Sequence, residues 1–250
     1  MLIVALTALG VGGATVIGAL FGLILKNLTQ KYSKIFLSFA GGIMLAAAVF
    51  GLIQPSLEQG GKWGFVITVL GIFAGAFCLN LVDKVTPHLH KMIGADIEEH
   101  KTSSLNKVLL FVIAIAIHNL PEGIAAGVGF GTEDQSAGIL IAVGIALQNI
   151  PEGMVVIAPM ISSGVSKKKA FLIAALTGLI EVVGTFIGYF AIKIAEVILP
   201  FALAFAGGTM LYVVSDEMIP ETHSDGNNRG VTYALLFGFC FMLVMDVLLG

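Results

Sequence analysis

Two copies of one polar motif lie inside apolar stretches of the sequence. Residues 118–123 read HNLPEG and residues 148–153 read QNIPEG, so the pattern N-x-P-E-G recurs after 30 positions. On a helix, His118 and Asn119 lie one turn before Glu122 on the same face, and the second motif repeats this arrangement. Imidazole, carboxylate and amide oxygen form a ligand set that suits first-row divalent metal ions. The spacing therefore predicts a metal site shared by two helices.

The proline and the glycine of each motif indicate how these two helices fit together. Proline has no N–H, so Pro121 leaves the carbonyl of Ile117 without its helical partner, and Pro151 does the same for Leu147. Each helix is therefore expected to kink and to turn a free carbonyl towards a cavity. The glycine that closes each motif would let the helices approach closely.

The composition limits the class of protein that can carry these motifs. Of the 250 residues, 57% are hydrophobic and 12% are charged, and the mean hydropathy is +0.99. A soluble domain carries about 25% charged residues. A soluble enzyme, a disordered chain and a nucleic-acid-binding protein with a basic face are therefore excluded. We predict an all-α integral membrane protein embedded in the lipid bilayer.

The apolar stretches give the number of membrane helices. A helix needs about 20 mostly apolar residues to cross a bilayer, and eight stretches meet this requirement. The longest connection between them holds the pattern H-x-H followed by E-E-H, which predicts either a loop that contacts metal ions or a simple linker; its histidines are His88, His90 and His100. The predicted spans are about 2–25, 35–57, 63–82, 107–129, 137–161, 169–190, 200–221 and 230–249, with the connection at 83–106.

The basic residues give the orientation of these helices. The odd-numbered connections hold 11 of the 13 Lys and Arg residues, and the even-numbered connections hold 2. By the positive-inside rule, the odd-numbered connections, including residues 83–106, are cytoplasmic and both termini face outward. The predicted location is the cytoplasmic membrane.

Acidic side chains inside the spans are the least expected feature of such a protein. An ionised side chain at the centre of a membrane helix costs about 2.5–3.5 kcal/mol on insertion scales, and no Lys or Arg is expected at that depth. His118, Gln148 and Glu181 each lie about 11 or 12 residues into their spans, roughly 16–18 Å along a helix. Glu122 and Glu152 follow one turn later. Three helices therefore bring acids to the layer in which transporters place ion sites.

Further acids lie near the cytoplasmic end of the seventh span. They are either part of an exit path for cations or helix-end acids exposed to water, and the sequence leaves both interpretations open. These residues are Asp216, Glu217 and Glu221.

The repeated motif in two neighbouring spans resembles the ZIP family of divalent-metal transporters, and its Q-N-x-P-E-G form resembles the bacterial GufA-type branch. The resemblance implies uptake of zinc, and in some members iron, manganese or cadmium, into the cytoplasm by alternating access. It also implies spans arranged as three, two and three, with the outer triplets related by inversion, and it is compatible with a homodimer. It further implies a binuclear centre with one site of His118, Glu122, Gln148 and Glu152 and another of Asn119, Glu122, Asn149, Glu152 and Glu181.

Two positions depart from the family pattern and keep other functions open. Gln148 stands where many members have His, and Asn149 stands where some have Asp, so the selectivity for zinc is an open question. The alternatives are a broad-range carrier of Fe²⁺, Mn²⁺ or Cd²⁺, a proton-coupled carrier that uses the same carboxylates, and a membrane metal sensor. An enzyme is not expected, because the H-E-x-x-H signature of a metalloprotease is missing.

Overall fold

The computed structural model describes residues 1–25, 30–85, 119–130, 135–162, 164–194, 196–224 and 229–249. All the regular elements in these ranges are helices. Seven helices within them are long and apolar enough to cross a membrane, and residues 119–129 form a further helical segment. The prediction of an all-α integral membrane protein is confirmed.

We number the membrane helices α1 to α8 in chain order. Two of them, α2 and α7, each combine an α-helix, a π-helical segment and a second short α-helix in one rod. The bounds are Leu2–Ile24 (α1), Gln30–Ala46 with Ala47–Ile53 and Gln54–Gln59 (α2), Gly64–Val85 (α3), 119–129 (α4), Gln135–Ser162 (α5), Lys167–Ile194 (α6), Leu199–Val213 with Val214–Met218 and Ile219–His223 (α7), and Arg229–Leu249 (α8).

The π-helical segments of α2 and α7 each lead directly into a proline. Pro55 and Pro220 stand at the first turn of the short α-helix that follows each segment. A proline inside a helix lacks an N–H, and its ring presses on the carbonyl of the preceding turn. The wider turn of a π-helix accommodates this conflict while the rod continues. The sequence analysis placed neither π-helical segment.

Close backbone packing at glycines joins α1, α4, α5 and α6 into a group that we call the motif unit. A Cβ atom on Gly153 of α5 would lie 2.4 Å from the carbonyl oxygen of Thr15 on α1. A Cβ atom on Gly123 of α4 would lie 2.3 Å from the carbonyl oxygen of Glu181 on α6. No side chain fits at such distances, so both motif glycines are needed for direct contact between backbones.

The other four helices, α2, α3, α7 and α8, form a second group that we call the flanking unit. A Cβ atom on Gly42 of α2 would lie 2.0 Å from the carbonyl oxygen of Leu235 on α8. A Cβ atom on Gly75 of α3 would lie 2.1 Å from the carbonyl oxygen of Phe205 on α7. The π-helical segment of α2 packs against α7 and joins these two helix pairs.

The glycine contacts described between the two units are of a different kind, because they run through side chains. A Cβ atom on Gly51 of α2 would lie 2.8 Å from Cγ1 of Ile141 on α5. A Cβ atom on Gly144 of α5 would lie 2.8 Å from Cε of Met242 on α8. Side chains can change rotamer where backbones in contact cannot move, so the interface between the units is the more adjustable one.

The outer faces of the helices carry large apolar side chains. Phe65, Phe73 and Phe77 on α3 and Leu176 and Leu179 on α6 are each more than half exposed. An apolar surface of this extent is not stable in water and matches the hydrocarbon core of a bilayer.

Some helices extend beyond the predicted spans. Helix α2 begins at Gln30 instead of about 35, and α6 ends at Ile194 instead of about 190. As a result, Lys34 lies inside α2, where it is 5% exposed and its Nζ donates a hydrogen bond of 2.6 Å to Oγ of Ser224. The polar end of this helix has a partner just beyond the end of α7, which hydropathy alone does not reveal. Residues 86–118 of the predicted fourth span and cytoplasmic loop lie outside the described residues.

The contact between α3 and α7 gives a direct test of the glycine packing. We expect Gly75→Ala to lower the thermal unfolding midpoint of the detergent-solubilised protein, since overpacking costs about 1–3 kcal/mol and each kcal/mol lowers the midpoint of a chain of this size by about 2–4 °C. The matched control is Gly10→Ala, because a Cβ atom on Gly10 meets nothing within 4 Å. Equal midpoints for the two variants would contradict the packing described here.

Candidate metal centre

The two motifs meet through a direct hydrogen bond between α4 and α5. Nε2 of Gln148 donates to Oε1 of Glu122 at 2.7 Å, and both side chains are buried. The residue that opens the second motif therefore contacts the acid of the first. The structure thus brings one residue of each motif into direct contact.

A second group of hydrogen bonds surrounds Glu181 of α6. Oε1 of Glu181 accepts from Oγ1 of Thr15 at 2.7 Å and from Nδ2 of Asn119. Oε2 accepts from Nδ2 of Asn149 at 2.6 Å. The donors come from α1, α4 and α5, so this carboxylate draws together all four helices of the motif unit.

The third acid of the layer is Glu152, which is half-buried. It lies one helical turn beyond Gln148 on α5, on the same face. Its charge is close enough to interact with the charges of both Glu122 and Glu181. Three like charges in one low-dielectric region repel one another, and a divalent cation among them would offset that repulsion.

Oxygen atoms without hydrogen-bond partners distinguish this site from an ordinary buried polar network. Oε2 of Glu122, Oε1 of Gln148 and Oδ1 of Asn149 are buried and accept no hydrogen bond. Buried acceptors are nearly always paired in folded proteins. Here the amide N–H groups bind carboxylates, and the oxygens that remain are of the type that binds a cation.

The described carboxylates do not form a metal site by themselves. Within the ranges that the structure covers, no group of three or more His, Cys, Asp or Glu side chains is arranged to hold a metal ion. A ligand set drawn from these ranges would need further oxygens besides the carboxylates, and the unpaired amide oxygens of Gln148 and Asn149 are available for this. His118 of the predicted set lies outside the described residues, and so do the loop histidines His88, His90 and His100.

The local structure around the motifs follows from their glycines more than from their prolines. Helix α5 runs without interruption through Pro151, and the described part of α4 runs through Pro121. The motif glycines bring α5 against α1 and α4 against α6. This places the Asn donors of both motifs within reach of Glu181.

The acids of the seventh span occupy a different part of the structure. Asp216 and Glu217 lie in the π-helical segment of α7, and Glu221 lies in the short helix that follows. Asp216 is exposed and the other two are half-buried. These residues belong to the flanking unit, whereas Glu122, Glu152 and Glu181 belong to the motif unit.

The sequence analysis missed the contribution of α1 to the site. Oγ1 of Thr15 contacts Glu181, and the backbone carbonyl of Val11 accepts from Nδ2 of Asn149 at 3.3 Å. A signal was present, because Thr15 is a polar residue on the face of α1 that also carries Gly12, Gly18 and Gly22. Small residues on one face mark the contact side of a membrane helix.

Comparison with known proteins agrees with the arrangement of these motifs. A family profile described as ZIP Zinc transporter matches residues 94–246. The chain is 39% identical to the zinc transporter GufA of Myxococcus xanthus over 245 residues, which cover 96% of each protein. It is 36% identical to the zinc transporter ZIPB of Bordetella bronchiseptica, over 95% of this chain and 78% of the relative. It is also 36% identical to the zinc transporter ZupT of Chlorobaculum parvum, over 94% of this chain and 92% of the relative.

The unpaired oxygens lead to a prediction about stability. We expect Zn²⁺ at about 100 times its dissociation constant to stabilise the detergent-solubilised protein by about 2.7 kcal/mol, which raises the unfolding midpoint by about 5–10 °C. The variant Glu122→Gln should lose most of this shift. The matched control Glu58→Gln should keep it, because Glu58 is exposed and bonds only to Gln54 among the contacts described here. An undiminished shift in Glu122→Gln would place zinc elsewhere.

Proposed function

Because this chain belongs to the ZIP family of zinc transporters, we propose that it takes up zinc across the cytoplasmic membrane through the centre on α4, α5 and α6. The chain is a membrane transporter and not an enzyme. The observation that carries the proposal is the set of buried oxygens of Glu122, Gln148 and Asn149 that accept no hydrogen bond. Gln148 and Asn149 lie on a helix long enough to cross a membrane, and all three oxygens are buried, so water does not reach them to serve as a donor.

We propose further that the centre is binuclear. In the structure the hydrogen bonds fall into two groups, one between Gln148 and Glu122 and the other around Glu181. These groups correspond to the two ligand sets that the resemblance implies, with Glu122 and Glu152 bridging. Three ionised glutamates carry a charge of −3, which one divalent ion changes to −1 and a second to +1, so either occupancy is electrostatically acceptable.

The direction of transport and the exit path are parts of the same proposal. The excess of basic residues in the odd-numbered connections supports cytoplasmic loops and outward termini. In that orientation Asp216, Glu217 and Glu221 lie at the cytoplasmic end of α7, where acids attract a cation that leaves the site. The histidines of residues 83–106 would be the next ligands that the ion meets.

A broad-range carrier of Fe²⁺, Mn²⁺ or Cd²⁺ is the second candidate. The observation that favours it is the amide character of the ligand set, because Gln148 and Asn149 offer oxygen where imidazole or carboxylate would bind zinc more tightly. Oxygen ligands suit harder ions such as Mn²⁺. The two candidates share one site and differ only in which ion binds best.

The division into two units supports alternating access. The motif unit and the flanking unit are each held together by backbone contacts at glycines, whereas side chains fill the interface between them. We propose that the motif unit slides as one body against the flanking unit and carries the ion with it. The contacts within the flanking unit support an arrangement of three, two and three spans. Gly42 of α2 meets Leu235 of α8, and Gly208 of α7 meets Ile72 of α3. These two contacts are equivalent if inversion relates α2 to α7 and α3 to α8.

The transport proposal is tested by uptake of Zn²⁺, Cd²⁺, Mn²⁺ and Fe²⁺ into proteoliposomes, measured side by side. We expect saturable uptake that Glu122→Ala and Glu152→Ala each reduce by at least about 10–100-fold, because each removes a proposed ligand and loss of even a partner that orients a ligand has an effect of this size. The control Glu58→Ala should transport like the unmodified protein. Normal uptake by folded Glu122→Ala and Glu152→Ala proteins would reject the site, and metal binding without any uptake would indicate a sensor.

The sliding motion is tested by disulfides placed within and between the units. A Cβ atom on Gly51 would lie 4.0 Å from Cβ of Ile141, which suits a disulfide. In a background without Cys78 and Cys240, oxidation of Gly51→Cys/Ile141→Cys should stop uptake, and reduction should restore it. The control pair Ser56→Cys/Thr68→Cys lies within the flanking unit, where the two hydroxyl oxygens are 2.7 Å apart; its oxidation should leave uptake unchanged. Full uptake with the first pair cross-linked would contradict sliding at this interface.

A further inference from the structure

The hydroxyl of Thr15 occupies a special position beside the metal centre. Thr15 is 5% exposed and Glu181 is fully buried, and the hydrogen bond between them is 2.7 Å long. It connects α1, which carries none of the predicted metal ligands, to the only predicted ligand on α6. Its removal would leave one oxygen of Glu181 with Asn119 as its remaining described donor.

The helix contacts around Thr15 on α1 recur around Glu181 on α6, at residues 166 positions later in the sequence. A Cβ atom on Gly12 would lie 2.2 Å from the carbonyl oxygen of Gly178, and one on Gly178 would lie 2.5 Å from that of Gly12. The contact is therefore reciprocal, and α1 and α6 cross at two glycines that are 166 positions apart. Thr15 follows the first glycine by three residues, and Glu181 follows the second by three.

The same offset relates the contacts that α1 and α6 make with the two motifs. A Cβ atom on Gly18 would lie 2.2 Å from the carbonyl oxygen of Ile150, and one on Gly184 would lie 2.8 Å from that of Leu120. Ile150 and Leu120 hold the same place in the two motifs. One turn further, Gly22 meets the carbonyl of Met154 and Gly188 meets that of Ile124, which are again 30 positions apart.

These contacts divide the centre into two halves, one formed by α1 and α5 and the other by α6 and α4. The two halves have equivalent geometry but unequal charge. Asn119 corresponds to Asn149, and Glu122 corresponds to Glu152. At the third position the halves differ, because α6 supplies the carboxylate of Glu181 and α1 supplies the hydroxyl of Thr15. Both Asn side chains donate to Glu181, so the amides of both halves serve the one acid.

We propose that Thr15 is a positioning residue of the metal centre, which holds the carboxylate of Glu181 in place from the equivalent position on α1. The proposal rests on the proposed function, because it takes Glu181 to be a metal ligand. A donor that orients a ligand determines how well the ligand meets the ion, and loss of such a partner typically weakens metal binding by about 10–100-fold.

The first arm of the test is zinc uptake by single variants in proteoliposomes. Thr15→Val removes the hydroxyl and keeps the shape, and we expect it to raise the Zn²⁺ concentration for half-maximal uptake about tenfold with little change in maximal rate. Thr15→Ser keeps the hydroxyl and should restore the normal value. The matched control is Thr209→Val, since Oγ1 of Thr209 bonds only to the carbonyl of Ala206 on its own helix among the described contacts.

The second arm of the test exchanges the side chains of Thr15 and Glu181. Glu181→Thr alone should abolish saturable uptake. The double variant Thr15→Glu/Glu181→Thr returns one carboxylate and one hydroxyl to the same crossing, with Asn119 and Asn149 still beside it, and should recover uptake to within about tenfold of the unmodified protein. A purely structural hydroxyl would not allow this recovery.

The outcomes separate this proposal from the transport proposal. Loss of uptake in Glu122→Ala and Glu181→Thr, with Thr15→Val equal to Thr209→Val, would overturn the role of Thr15 and keep the transport site. A folded double variant that remains as inactive as Glu181→Thr would also overturn it, even where Thr15→Val alone does not fold. Normal uptake in Glu122→Ala and Glu181→Thr would instead reject the site itself.

Discussion

The burial of one carboxylate inside a bundle of membrane helices constrains much of this structure. Glu181 has no exposed surface, and a carboxylate without hydrogen-bond donors in such surroundings would cost several kcal/mol. Its donors come from Thr15 on α1, Asn119 on α4 and Asn149 on α5. The donors reach it only because the backbones touch at glycines such as Gly123 and Gly153. The glycine content of these helices and the position of the acid are therefore parts of one arrangement.

The same network is consistent with the proposal that the site binds cations. Amide side chains can donate and accept, and here the N–H groups of Gln148 and Asn149 bind carboxylates while their oxygens stay unpaired. A network built only for stability would pair these oxygens as well, because each unpaired buried acceptor costs about 1–3 kcal/mol. Donors stabilise the acids, and acceptors are left for an ion. An amide fulfils both needs, whereas an ionised carboxylate in place of Gln148 would offer acceptors only.

The sequence predicted those features that depend on residues close together in the chain. Hydropathy gave the helical membrane fold, and the repeated motif gave Glu122, Gln148 and their contact. It did not reveal the role of Thr15 or the burial of Lys34, because each depends on a contact with a helix far away in the chain, 166 positions for Thr15 and 190 for Lys34. The described helices continue through Pro121 and Pro151, so the kinks expected there stay a prediction, and the π-helical segments near Pro55 and Pro220 were not predicted.

A carrier must keep the geometry of its ion site while the access to that site changes, and the two kinds of helix contact separate these tasks. Within the motif unit, the helices touch backbone to backbone at glycines, so in the proposed sliding motion the distances among Glu122, Asn149 and Glu181 would stay fixed. Between the units, the side chains of Ile141 and Met242 contact glycines. The thioether side chain of Met242 can repack over a smooth backbone at small cost. A motif glycine enlarged by one methyl group would therefore disturb ion binding, whereas a change at Ile141 would alter the rate of transport and leave the affinity of the site unchanged.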